Sequence, residues 1–103
     1  GLKNVHGFTP QAVTNHVKPN CWLYTAVFER SKELLKYLDE NGVQTRPFWV
    51  PMDRLPAYKD DIYYNENDVA GSVYNRCLSL PCSSSITDAE VAEVIEKIKK
   101  FYA

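Results

Sequence analysis

Residues Cys21 to Phe28 are aromatic, apolar or β-branched at nearly every position, the pattern of a strand that needs cover on both of its faces. Side chains alternate along a strand, so one face carries Cys21, Leu23, Thr25 and Val27 and the other Trp22, Tyr24, Ala26 and Phe28. Whatever this chain folds into must supply material for two sides of that strand or receive it from elsewhere. With 103 residues, there is enough chain for one core and too little for two.

The rest of the chain punctuates itself clearly. Ser31 offers an N-cap for a helix with Leu34, Leu35 and Leu38 on one face, and Asn41-Gly42 stops it, glycine taking the left-handed position without a Cβ clash. Val43 to Trp49 is expected to be a second strand, which Pro47 confines to an edge, a bulge or an early end because proline cannot donate to a ladder. Val50 to Glu66 is a long loop, too long for an idle connection. Asn67 or Asp68 opens a short helix to about Arg76 with Ala70, Val73 and Tyr74 inward, although Gly71 weakens it by about 1 kcal/mol. Cys77 to Leu80 is a third strand ended by Pro81. Thr87-Asp88-Ala89-Glu90 forms a capping box for a final helix whose Val91, Val94, Ile95, Ile98 and Tyr102 share one face.

These elements predict a small α/β domain over residues 20–103, β-α-β-α-β-α, with a three-stranded sheet and helices mainly on one face. Right-handed crossover is satisfied if the first two strands are parallel and the third lies antiparallel between them. Residues 1–19, which show no sustained alternation, are expected to be an entry segment or linker. In this layout the face with Trp22, Tyr24 and Phe28 lacks a partner within the chain, and an exposed aromatic patch marks an interface.

Several functions are disfavoured by composition. A net charge of -1 gives no general attraction to nucleic acid, and Lys97, Lys99 and Lys100 instead complement the carbonyl end of the last helix. No apolar stretch approaches the roughly 20 residues needed to cross a bilayer, and no signal peptide is evident, so a cytoplasmic location is expected. Cys21, Cys77 and Cys82 are an odd set without a Cys-x-x-Cys pair, and His6 and His16 have no partner at zinc-ligand spacing, so structural thiols and no metal are expected. Ser83 to Ser85 lack a nucleophile elbow, and Asp60, Asp61, Glu66 and Asp68 lack the spacing of a calcium loop.

The stretch Gly42 to Trp49, Gly-Val-Gln-Thr-Arg-Pro-Phe-Trp, places Arg46 on an apolar strand after a helix stop. Together with Leu55-Pro56-Ala57-Tyr58, Leu78-Ser79-Leu80-Pro81 and Thr87-Asp88, it resembles the C-terminal domain of the DegT/DnrJ/StrS family of pyridoxal-phosphate (PLP) aminotransferases, which act on nucleotide-linked keto sugars. The resemblance implies the C-terminal small domain of a fold-type I PLP enzyme, packed on a large N-terminal PLP-binding domain, in an enzyme that works as a homodimer. It implies PLP as cofactor of the whole enzyme, glutamate as amino donor, and a nucleotide sugar for surface polysaccharide as substrate. The family's PLP lysine lies outside the matched segment, and no lysine here has the apolar surroundings that make an amine nucleophilic. The fragment is therefore expected to hold no cofactor and to be inactive alone, with no catalytic residue of its own.

Four residues remain as substrate-binding candidates. Arg46 can grip a carboxylate or phosphate through two parallel hydrogen bonds, or serve a structural salt bridge. Trp22 and Trp49 can stack on a base or sugar ring, or pack in the interior. Asn20 matches the family's Asn-x-Trp start of the strand and lines the cleft, or caps a turn. Met52-Asp53 stands where many relatives have a histidine, a departure that puts any histidine-dependent substrate contact in doubt. The alternative to an aminotransferase domain is a stand-alone α+β module that binds a partner or small ligand.

Overall fold

The computed structural model describes residues 1–103. In chain order the elements are β1 (Phe8–Pro10), β2 (Tyr24–Phe28), α1 (Ser31–Glu40), β3 (Arg46–Pro47), a 3-10 turn (Met52–Arg54), α2 (Val69–Arg76), β4 (Cys77–Leu80) and α3 (Asp88–Tyr102). The sheet has four strands in the order β1-β2-β4-β3, every neighbouring pair antiparallel. β2 and β3 consequently run the same way on either side of β4.

The register fixes the faces. Ala26 lies opposite Leu78 and Tyr24 opposite Leu80, so Ala26, Phe28, Leu78 and Leu80 share one side of the sheet. That side meets Leu34 and Leu38 of α1, Ile98 of α3, and Leu2 and Val43, in one buried cluster. Thr25 lies opposite Ser79, and Arg46 opposite the same serine from the other edge. These three belong to the second face, where the Thr25 and Ser79 hydroxyls hydrogen-bond at 2.8 Å.

Four expectations are corrected here. The sheet has four strands rather than three: within the entry segment Phe8–Pro10 form a strand on β2, and Leu2 is buried in the core. A three-residue strand offers no alternation to read, and its pairing with Phe28 is non-local. Second, the face with Phe28 is the one that α1 and α3 cover; Phe28 is only 1% exposed. Exposure on that face is confined to Tyr24 at the start of β2, while Trp22, ahead of the strand, joins Arg46 and Ser79 over the other face. Third, Ser31 does not cap α1. Arg30 takes the N-cap in a left-handed conformation with φ 54, and Ser31, the first helical residue, donates its hydroxyl to the Asn75 carbonyl at 2.8 Å. Fourth, in α2 it is Gly71 that is buried, while Ala70 faces water.

Local signals place the remaining ends. Gly42, at φ 76, closes α1 in a Schellman motif: its N–H reaches the Asp39 carbonyl at 3.0 Å and the Val43 N–H reaches that of Leu38 at 2.8 Å. At the other terminus Glu90 N–H donates to the Thr87 hydroxyl at 3.2 Å while Thr87 N–H donates to the Glu90 carboxylate at 2.8 Å. The expected strand Val43 to Trp49 pairs with β4 only over Arg46–Pro47, at the sheet edge.

The Cα radius of gyration is 15.4 Å, above the roughly 13 Å of a closed domain of about 100 residues. Two stretches account for it: residues 11–24 and 56–70 have every residue exposed.

Candidate functional site

Arg46 is the second-face residue with the least obvious structural duty. Its partner on β4, Ser79, orients it away from the core, and none of the ion pairs of the chain involves it. The guanidinium is exposed and free to take an external anion. It divides two clefts. One, of about 550 Å³, mixes polar residues such as Gln44, Ser83, Glu90 and Glu93 with Leu23, Ile86 and Val94; the other, of about 420 Å³, is largely aromatic and apolar.

The aromatic cleft gathers Trp22, Phe48, Trp49, Tyr74 and Ser79 around Arg46. The Trp22 and Trp49 rings lie 5.8 Å apart at 43°, and Phe48 sits 5.5 Å from Trp49. Both indoles are largely exposed, at 66% and 62%; neither is packed in the interior. A planar or cyclic ligand could lie against these rings with an anionic group at Arg46.

The structure therefore brings together three of the four candidates, Arg46, Trp22 and Trp49. Asn20 does not line the cleft; its side-chain oxygen accepts from the Trp22 N–H at 3.2 Å, the geometry of a turn that sets the approach of Trp22. Tyr74 and Ser79 also line the cleft, and sequence alone does not single them out for it. The signal for Ser79 is the antiparallel register with Arg46, which becomes readable only once the sheet order is known. In the 3-10 turn, Met52 is exposed and one Asp53 carboxylate oxygen is buried without a partner.

No lysine lines either cleft at Arg46. Lys97, the half-buried one, donates to the Asn41 carbonyl at 2.8 Å and pairs with Glu93. Neither cleft at Arg46 therefore offers the reactive amine that PLP chemistry needs beside its ring.

The chain is thus a small mixed α/β domain with an arginine outside every ion pair beside exposed aromatic rings. Residues 1–99 match the model of the DegT/DnrJ/EryC1/StrS aminotransferase family, and the chain belongs to that family. It is 27% identical over 81 residues to the GDP-perosamine synthase of Escherichia coli O157:H7, covering 79% of this chain and 22% of that protein. Over 72 residues it is 32% identical to the spore coat polysaccharide biosynthesis protein SpsC of Bacillus subtilis (strain 168), covering 68% of this chain and 18% of that one. Among solved structures, S. venezuelae DesV in complex with a ketimine intermediate matches with a TM-score of 0.87 at 26% identity, over 98% of this chain and 28% of the DesV chain. The chain thus spans about a fifth of the length of these curated relatives. No helix is long and apolar enough to cross a membrane.

Proposed function

We propose that this chain is the C-terminal small domain of a PLP-dependent aminotransferase that moves an amino group, from glutamate, onto a nucleotide-linked keto sugar for surface-polysaccharide synthesis. The observation that carries this reading is Arg46: an arginine without a carboxylate partner, held by β3 beside Trp22 and Trp49 in one cleft. In the proposal Arg46 binds the carboxylate of the donor or a phosphate of the nucleotide sugar, and the indoles flank a ring of the substrate. The cofactor, its lysine and the chemical step belong to a large N-terminal domain; this domain binds, orients and helps close the cleft, in a homodimeric cytoplasmic enzyme. Support comes from the family membership and from the short span that the chain covers in its relatives.

The test is amino transfer by the protein read from the whole reading frame that contains these residues, with glutamate and nucleotide-linked keto sugars as substrates. Transfer by that protein, and neither a PLP absorbance band nor transfer by residues 1–103 alone, is the expected result. A whole frame that lacks a PLP-lysine segment would sink the proposal. It would favour the second reading, a stand-alone partner- or ligand-binding module, for which the observation is that Phe28, Leu34, Leu38 and Ile98 bury themselves without help from another chain.

A further inference from the structure

The long loop after β3 is held in an unusual way. From Pro56 to Asn67 every residue is exposed, and every hydrogen bond is local, reaching no farther than Leu55 at one end and Asp68 at the other. Tyr58, Ile62, Tyr63 and Tyr64 stand in water. The two ends are joined by one ion pair, Arg54 Nη2 to Asp68 Oδ2 at 3.2 Å. At the second end the backbone is strained: Asn67 and Asp68 are consecutive non-glycine residues at φ 65 and 46, with Asp68 N–H donating to the Asn65 side chain at 2.8 Å.

Under this pair lies Gly71, buried in the first turn of α2. A Cβ at that position would collide with Arg54 Nη2 and with both Asp68 carboxylate oxygens, and with nothing else as close. These are the far ends of flexible side chains, so an alanine would displace the ion pair and leave the helix backbone in place. The glycine is costly to a helix, and here it serves as the seat of the pair.

We propose that Arg54, Asp68 and Gly71 form a clasp that closes the 55–67 strap and positions Trp49. The geometric link is the stem of the strap. Phe48, Trp49, Val50, Met52 and Leu55 face Ala70 and Val73 of α2 across an apolar groove of about 740 Å³. Phe48, Trp49 and Val50 also line the Arg46 cleft. Anchoring Arg54 to the start of α2 therefore fixes how the stem lies against that helix, and with it the angle at which Trp49 meets Trp22. When the clasp opens, the strap is tethered only through its chain ends, and the shared wall of the two clefts is free to shift. Arg54, Asp68 and Gly71 are positioning residues; none of them lines the Arg46 cleft.

The clasp bears on the cleft proposed above as a binding site, but its test uses no substrate, so the clasp and the binding role fail separately. Trp22 and Trp49 are the chain's two tryptophans, and their near-UV circular dichroism reports their mutual geometry. Trypsin cleavage after Lys59 reports opening of the strap. Arg54→Met should speed that cleavage about two- to fivefold, the factor carried by a half-exposed ion pair, and weaken the tryptophan signal. Gly71→Ala should do the same without loss of far-UV helical signal. Arg54→Asp combined with Asp68→Arg should restore both readouts toward wild type. A wild-type cleavage rate and spectrum in Arg54→Met, or a charge swap as open as the single variant, overturns the clasp. Should Gly71→Ala fail to fold, the Arg54 variant and the swap decide the matter between them.

Discussion

The indole of Trp22 meets that of Trp49 at 5.8 Å, so a residue just before β2 and one just after β3 build a single wall over the second face of the sheet. The strands that carry them are not neighbours; β4 lies between. Arg46 opens onto this wall, and the pairing of the two indoles gives the arginine its aromatic surroundings.

Arg46→Ala, in the protein of the whole reading frame, should raise KM for the donor or the nucleotide sugar about tenfold or more, the loss expected when a charged hydrogen bond to a ligand is removed. The melting temperature should stay within about a degree or two, because Arg46 is exposed and outside every ion pair of the chain. Steady-state kinetics beside a thermal melt separates the two effects; unchanged kinetics removes Arg46 from the site.

Phe28→Ala should destabilise the domain by about 3 to 5 kcal/mol, the cost of emptying a sealed core position, since Phe28 is 1% exposed and packs at 5.4 Å from Phe8. Trp22→Ala, ahead of β2 and 66% exposed, should cost less than about 1 kcal/mol. Urea melts of the two variants measure the contrast.

Thr87→Ala should cost about 1 kcal/mol through the lost cap. The same box carries a pH signature. Hydrogen bonds from the Thr87 backbone N–H and hydroxyl hold the Glu90 carboxyl below its ordinary value. A lowered folded-state value means that this contribution is present above the ordinary value near 4.5 and is lost as pH falls through the folded one. Stability between pH 6 and about pH 3 should decline less steeply in Glu90→Gln than in the wild type, as followed by melts across that window.

Tyr102 provides the alkaline counterpart. Burial, and then the nearby Glu29 carboxylate, push its hydroxyl up from 10.0 to about 12, while the phenol donates to the Glu29 carbonyl. For a raised value the contribution is fully present below 10 and is lost as pH climbs through about 12. In an ultraviolet titration one of the seven tyrosines should ionise late. Tyr102→Phe should remove both that late step and its share of the alkaline destabilisation.

What was legible in the chain was mostly local. Asn41-Gly42 and Thr87 to Glu90 specify their motifs within a handful of residues, and the hydrogen bonds form as read. Pro47 marks an edge because a missing N–H is a local fact. The alternation sorts the side chains of Tyr24–Phe28 into two sets correctly but not Trp22, which precedes the strand, and which set the helices cover, here that of Phe28, depends on the crossovers. β1 escaped notice because Phe8–Pro10 acquire meaning only by pairing with Phe28 and its neighbours. Of the residues around the aromatic cleft, Arg46 and the two tryptophans are candidates already in the sequence. Ser79 required the register, and the clasp under Arg54 required knowing that Gly71 lies beneath it.

Both outer strands of the sheet end in proline, Pro10 on β1 and Pro47 on β3. Neither rim can therefore offer an unbroken row of amide donors for another strand to zip onto. Lateral addition of a strand is thereby discouraged on the left and right margins alike, which leaves the broad faces, with their side chains, as the favoured ground for docking.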